Sequence, residues 1–195
     1  DVSGTATLDI TTVNDAPTTS AVTLTAIAED SGALEITNAQ LIASAVDQES
    51  DTLTVSNLAI ASGSGTLVDN NNGTWSYTPA ANDNTSVSFS YTITDDGTTN
   101  GTSEPLDVSG TATLDITTVN DAPTVVGNGI PDAVSTSSFS LNNISRFFED
   151  LDGDDLSYSV ETDTGTATVS SGNLSISGLT PGITTVTVTA TDEAS

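Results

Sequence analysis

The chain has 195 residues, of which 27 are acidic and one, Arg146, is cationic, leaving a formal net charge of -26 at neutral pH. Nucleic acid is excluded as a partner because phosphate contacts need clustered Lys and Arg. The lack of cysteine and histidine removes disulfides, thiolate chemistry and the softer metal sites. No stretch reads as a membrane span or a secretory signal, so direct membrane insertion is not expected.

Residues 1–17, DVSGTATLDITTVNDAP, recur letter for letter at 107–123. Small and apolar residues alternate with polar ones in each copy, the period of a half-buried strand. Asn-Asp-Ala-Pro then stops the strand, since proline cannot donate to a ladder and forces an extended residue before it. Residues 1–17 therefore read as the last strand and linker of a preceding repeat. Residues 18–123 read as one full module and 124–195 as a second module that lacks its final strand.

Within 18–123 a first strand is expected over Val22–Ala28, ended by Glu29-Asp30-Ser31-Gly32, and a second begins at Leu34 and Ile36. A helical turn over Asn38–Ser44 leads to Asp47-Gln-Glu49-Ser-Asp51. Strands follow at Thr52–Ala59, Thr66–Val68 and Thr74–Pro79, the last two joined by the hairpin signal Asp69-Asn-Asn-Asn-Gly73. Val87, Phe89, Tyr91 and Ile93 alternate with Ser and Thr up to Asp95-Asp96-Gly97. A long Thr/Gly/Asn loop, 97–105, then runs into the repeated strand. Seven strands in about 100 residues is the immunoglobulin-like sandwich pattern.

In 124–195, strands are expected at Ser135–Leu141, Leu156–Glu161, Thr166–Ser170, Asn173–Ser177 and Ile183–Thr191, with Ile144–Phe148 in the core. The fold class expected from these strands is all-β: tandem immunoglobulin-like Greek-key β-sandwiches joined by a short linker. Trp75 and Tyr77 share one strand face and belong to the core, although an exposed Trp75 would make a sugar-stacking platform. Arg146 is expected to pair with Glu149 or Asp150.

Successive turns of an antiparallel sandwich alternate between its two ends, so turn parity assigns each acidic cluster to an end. The incoming Asn14-Asp15, the triplet Asp47, Glu49, Asp51 and the pair Asp95, Asp96 share the top of the first module. Glu29, Asp30, Asp83, Asn120 and Asp121 share its bottom. Asp150, Asp152, Asp154, Asp155, Asp192 and Glu193 gather at the top of the second. Most of the 27 acids thus fall at module ends, which a dispersed salt-adapted surface would not produce. Clustered carboxylates with amide neighbours point to calcium, a hard cation that takes six to eight oxygens in flexible geometry. Isolated acidic turns such as Asp69 and Asp163 read as plain turn formers. The spacing of Asp150, Asp152 and Asp154 imitates an EF-hand loop, but the sixth position is Asp155 instead of glycine and a strand follows.

VNDAP, the acidic pair after the first strand, the acidic triplet, GTWSYTPAAND and SFSYTITDDG together resemble the bacterial cadherin-like repeat of VCBS or tandem-95 type over Asp1–Pro123. FFEDLDGDDLSYSV with GITTVTVTATDEAS resembles a dystroglycan-type cadherin-like domain over Thr124–Ser195. Such modules occur in giant calcium-dependent RTX adhesins, secreted by a type I system and similar to the ice-binding adhesin. The resemblance implies an extracellular location at the bacterial surface, neighbouring modules of the same polypeptide as partners, and calcium between modules. Its junction ligands would be Glu29, Asp83, Asn120 and Asp121 with Asp150, Asp152, Asp154 and Asp192. The glycine-rich calcium nonapeptides of RTX tails are absent from the sequence.

These features lead to a non-enzymatic extender segment of a surface adhesin, supporting adhesion and biofilm formation. The alternative is a glycan- or peptide-binding module using loop 97–105 or Trp75. Paired carboxylates can hydrolyse glycosides, but carboxylates saturated with calcium are poor proton donors. Val2–Ile10 is expected either as an unpaired tail or as a strand that exchanges into an exposed sheet edge of a neighbouring molecule.

Overall fold

The computed structural model describes residues 1–135 and 137–193. They fold as two units, Asp1–Val119 and Asn120–Ser195. In the first, strands β1 (Val22–Thr23), β2 (Ile27–Ala28) and β3 (Leu34–Thr37) precede the one-turn helix α1 (Asn38–Leu41). Strands β4 (Thr54–Ser62), β5 (Thr66–Asp69), β6 (Thr74–Thr78) and β7 (Val87–Thr94) come next. The short hairpin β8 (Thr98–Thr99) and β9 (Thr102–Ser103) is followed by β10 (Asp107–Leu114) and β11 (Ile116–Thr117).

These strands build a β-sandwich with sheets ordered β1–β10–β7–β4 and β3–β6–β5. Alternation decides which side chains lie between them: Val87, Phe89, Tyr91 and Ile93 of β7 are all buried, as are Ile36, Trp75 and Tyr77 of the opposite sheet. Tyr77 meets Phe89 edge-on across the gap, with ring centroids 5.4 Å apart and planes at 87°. Each such residue contributes about 1.5–3 kcal/mol by leaving water. Trp75 is only 5% exposed, so it offers no stacking platform to a sugar.

Two identical segments take two different structures. In the second copy, β10 pairs antiparallel with β7 from Asp107↔Thr94 to Leu114↔Val87 and parallel with β1 at Val22↔Ala112, burying Ala112, Leu114 and Ile116. In the first copy no strand forms: residues 1–13 are exposed, Leu8 at 84% and Ile10 at 81%. Val2–Ile10 thus takes the first of its two expected forms, a tail with no strand beside it among the described residues, because alternation supplies a face but a strand needs a neighbour for its N–H and C=O groups. The expected strand Val22–Ala28 is split, since β1 follows β10 while β2 follows β11. Loop 97–105 is folded as the β8–β9 hairpin.

In the second unit, β12 (Thr124–Val125) pairs with β14 (Phe148–Glu149), and a 3-10 turn spans Ile144–Phe147. β13 (Ser138–Leu141), β17 (Asn173–Ser177) and β16 (Thr166–Ser170) make one sheet, while β15 (Ser157–Thr162) and β18 (Val186–Thr191) make the other. The strand expected over Ser135–Leu141 includes Thr136, which lies outside the described residues. The core is thin, with Ile144, Leu174 and Ile176 buried and Phe139, Tyr158 and Val188 half-buried around them. Arg146 lies over the Phe147 ring, its Cζ 4.7 Å from the centroid, and the expected pairing with Glu149 or Asp150 is not seen among the described residues. An exposed ion pair gains little in high dielectric and costs the entropy of holding two long side chains, so contact with the ring is a comparable alternative.

Candidate metal centre

The turn between α1 and β4 is shaped by its own carboxylates. Asp47 Oδ1 accepts the backbone N–H of Glu49 at 3.1 Å and of Asp51 at 2.9 Å, curling the turn around Asp47. Ser50 takes the left-handed conformation, φ 66°, that this curl requires. Asn38 fixes the exit, its Oδ1 accepting from Val55 N at 2.7 Å and its Nδ2 donating to the Leu53 carbonyl at 3.2 Å. The result is a triplet, Asp47, Glu49 and Asp51, whose carboxylate oxygens lie within 4.8 Å of one another.

Two further segments close on this turn. Asp15 N–H donates to Glu49 Oε2 at 3.3 Å, and Asn14 Nδ2 donates to Asp95 Oδ1 at 3.0 Å. Asp96 Oδ1 accepts from Thr52 N at 2.7 Å. Asn14, Asp15, Asp47, Glu49, Asp51, Asp95 and Asp96 are therefore brought together at one end of the first unit.

The second unit builds the same arrangement from different residues. Asp150 Oδ1 accepts from Asp154 N at 3.0 Å, as Asp47 does from Asp51. Asp121 N donates to Asp152 Oδ2 at 2.7 Å, as Asp15 does to Glu49. Asn120 Nδ2 donates to Asp192 Oδ2 at 3.0 Å, as Asn14 does to Asp95. Gly153, with φ 80°, stands where Ser50 stands in the first turn. The carboxylates are more widely spread here, since among the described residues the 4.8 Å triplet occurs in the first unit alone.

The electrostatics of the two turns agree. Asp51 is held above the ordinary carboxylate range by burial and then by the charges of Asp47, Asp96, Asp95 and Glu49. Asp154 is raised by burial and then by Asp150, Asp152, Asp192 and Asp155. Burial also pushes Asp95 up, but hydrogen bonds from Leu106 N–H, Gly97 N–H and the Asn14 amide outweigh it and set its net shift downward. Among the described residues, five side-chain oxygens are shielded from solvent and have no hydrogen-bond partner: Asn14 Oδ1, Asp47 Oδ2, Asp51 Oδ2, Asp95 Oδ2 and Asp150 Oδ2. Buried acceptors left in this state are costly unless a cation or an ordered water satisfies them.

The residues expected at the bottom of the first module are less concentrated. Glu29 is 4% exposed and its Oε1 accepts from Val119 N at 2.9 Å. Asp30 Oδ1 accepts from Asn82 N at 3.1 Å, joining those two turns. Asp83 is held below the ordinary range by the side-chain and backbone hydrogen bonds of Thr85 and the Ser64 hydroxyl, against a smaller opposing effect of burial. Its charge is thus engaged locally. Sequence reasoning missed Thr99, Gly97 and the Glu104 carbonyl as supports of Asn14, because only the hairpin's closure brings them to that residue.

A sandwich with carboxylate and amide oxygens gathered at one end, beside an incoming Asn-Asp-Ala-Pro segment, offers the ligand type that a hard cation takes. The chain belongs to the cadherin-like domain family, whose model matches residues 13–114, just over half of its length. Cadherin-like domains are extracellular and typically non-enzymatic. No helix among the described residues is long and apolar enough to cross a membrane. Similar solved structures include the human desmocollin-1 ectodomain, at 14% identity over 90% of this chain and 38% of that one, with a TM-score of 0.43. Protocadherin gamma B2 domains 3–6 match at 12% identity over 90% of this chain and 46% of that one, TM-score 0.45. An endo-fucoidan hydrolase of glycoside hydrolase family 107 matches at 18% identity over 91% of this chain and 28% of that one, TM-score 0.35. The chain therefore spans less than half of each of these solved chains. No curated protein matches it.

Cadherin-like domains typically bind calcium, and the residues present fit that ion. The donors are carboxylate and amide oxygens, and the buried unpartnered acceptors concentrate among them. Asp47, Glu49, Asp51, Asp95 and Asn14 would hold an ion in the first unit, and Asp150, Asp152, Asp154 and Asp192 in the second. A cation bound there would supply the positive charge that both turns lack.

Proposed function

We propose that this chain is an extender segment of a giant bacterial RTX adhesin, secreted by a type I system, in which calcium at the ends of consecutive modules stiffens the polypeptide. It works as a spacer that holds a ligand-binding region away from the cell surface in adhesion and biofilm formation. The observation that carries the reading is the cradle built twice, with the same three hydrogen bonds, from two turns of different sequence. Turn chemistry alone would explain one such arrangement; two with matching incoming Asn-Asp segments favour a shared ligand. The family likeness of 13–114 and the NDAP segments support ions bound where modules adjoin. The proposed modules are 18–123 and 124–195, with 1–17 belonging to a preceding repeat, and ligands at junctions would include Glu29 and Asp83.

The test is calorimetry with small-angle scattering. Calcium should bind with millimolar or tighter affinity, and the scattering envelope should lengthen and stiffen from EGTA to calcium. An unchanged envelope would remove the mechanical role. Of the two features expected of a glycan- or peptide-binding module, Trp75 is buried, and segment 97–105 is a largely exposed hairpin on which that second reading would rest.

A further inference from the structure

The β8–β9 hairpin is attached to the incoming segment. Asn100 N–H donates to the Thr12 carbonyl at 3.1 Å, and Asn14 N–H donates to Thr99 Oγ1 at 2.9 Å. Asn14 is 5% exposed, and both hydrogens of its side-chain amide are committed: Nδ2 donates to Asp95 Oδ1 at 3.0 Å and to the Glu104 carbonyl at 2.8 Å. Glu104 is itself tied back by its own N–H to the Gly97 carbonyl at 2.9 Å. Gly97 packs so closely that a Cβ there would fall 2.0 Å from Asn14 Oδ1. With Nδ2 fixed between two acceptors, the amide has one orientation, and Oδ1 is left buried without a hydrogen-bond partner, as is Oδ2 of Asp95, the residue to which Nδ2 is bonded.

This explains an asparagine in a chain so rich in carboxylates. The two groups facing Nδ2 are both acceptors, so an aspartate at this position would set oxygen against oxygen on that side. We propose that the β8–β9 hairpin is a clamp that locks the Asn14 amide before any ion arrives, leaving Oδ1 as its single free acceptor, so that an amide at position 14 is required for cation binding. Thr99 and Gly97 are positioning residues in this scheme. Preorganisation of this kind removes an ordering cost that would otherwise weaken binding. The inference rests on the calcium reading of the cradle, and its calcium-free arm tests it apart from that reading.

The experiment uses the full chain, labelled with nitrogen-15, in EGTA and in a CaCl2 titration followed at the Asn14 and Gly97 amides. In EGTA the Asn14 backbone amide should exchange at least about tenfold more slowly than those of residues 2–8, through its bond to Thr99. Thr99→Val should abolish that protection and weaken calcium binding several-fold, while Thr99→Ser retains both. Asn14→Asp should weaken calcium binding in the first unit at least about tenfold although it adds a negative charge, whereas simple charge attraction demands the reverse. Equal or tighter binding by Asn14→Asp overturns the clamp. So does an unprotected Asn14 amide in EGTA with calcium binding intact. If Asn14→Asp does not fold, the Thr99→Val and Thr99→Ser pair decides. Protection in EGTA with no response to calcium overturns the calcium reading instead and reduces the clamp to an element of the fold.

Discussion

Asp51→Asn should move stability in opposite directions with and without calcium. In the free protein the Asp51 carboxylate is pushed up by burial and by four neighbouring acids, so its charge costs stability at neutral pH. Asparagine keeps the side-chain shape and removes the charge, and the backbone bond from residue 51 to Asp47 Oδ1 survives. The variant should therefore melt above the wild type in EGTA. With calcium the order reverses. An ion held with a dissociation constant of about 0.1–1 mM in about 10 mM calcium stabilises the folded form by about 1.4–2.7 kcal/mol. In a domain of this size that is a rise in Tm of about 6–20 °C. The wild type should show that rise in the first unit, and Asp51→Asn should lose most of it. Calorimetric melts at matched ionic strength, with magnesium as the control, read both effects. An equal calcium response in the two proteins, or a variant that melts lower in EGTA, would refute the reasoning.

Three other outcomes can be checked on the same material. In EGTA, stability should rise as pH falls from 7 toward the ordinary carboxylate value, because Asp51 and Asp154 take up protons in the folded state before the unfolded chain does. Below that value it should fall, as Asp95 and Asp83, whose folded-state values are depressed, are forced to protonate; urea midpoints across pH 2–7 give the profile. Gly110→Ala should cost about 1–3 kcal/mol or more in urea unfolding, since a Cβ there would lie 2.3 Å from the ring of Tyr91, whose hydroxyl is bonded to the Leu41 carbonyl. Ser50→Gly should stabilise the calcium-free protein by up to about 1 kcal/mol, because it relieves the left-handed backbone that Gly153 already accommodates in the second unit.

Several features of the protein are legible in its sequence alone. The alternation of Val87, Phe89, Tyr91 and Ile93 named the core face of β7, and the ladder with β10 needs no other information than two such strands. The lack of Cys and His left oxygen as the only ligand type, and Asp47-Gln-Glu49-Ser-Asp51 named its own turn. These are local properties, fixed by side-chain chemistry within a few residues. Pairing is not local. Residues 1–17 and 107–123 are identical, yet β10 exists only where β7 and β1 lie on its two sides, while Leu8 and Ile10 stand in water. The role of Asn14 is likewise set by groups 81 to 90 residues away, Asp95, Thr99 and Glu104, which converge on it after the hairpin closes. Composition and periodicity determined which atoms could bind a cation and which faces would be buried. The tertiary structure decided which of two equal segments became a strand and which amide was held still, because hydrogen-bond partners and close packing come from residues distant in the chain.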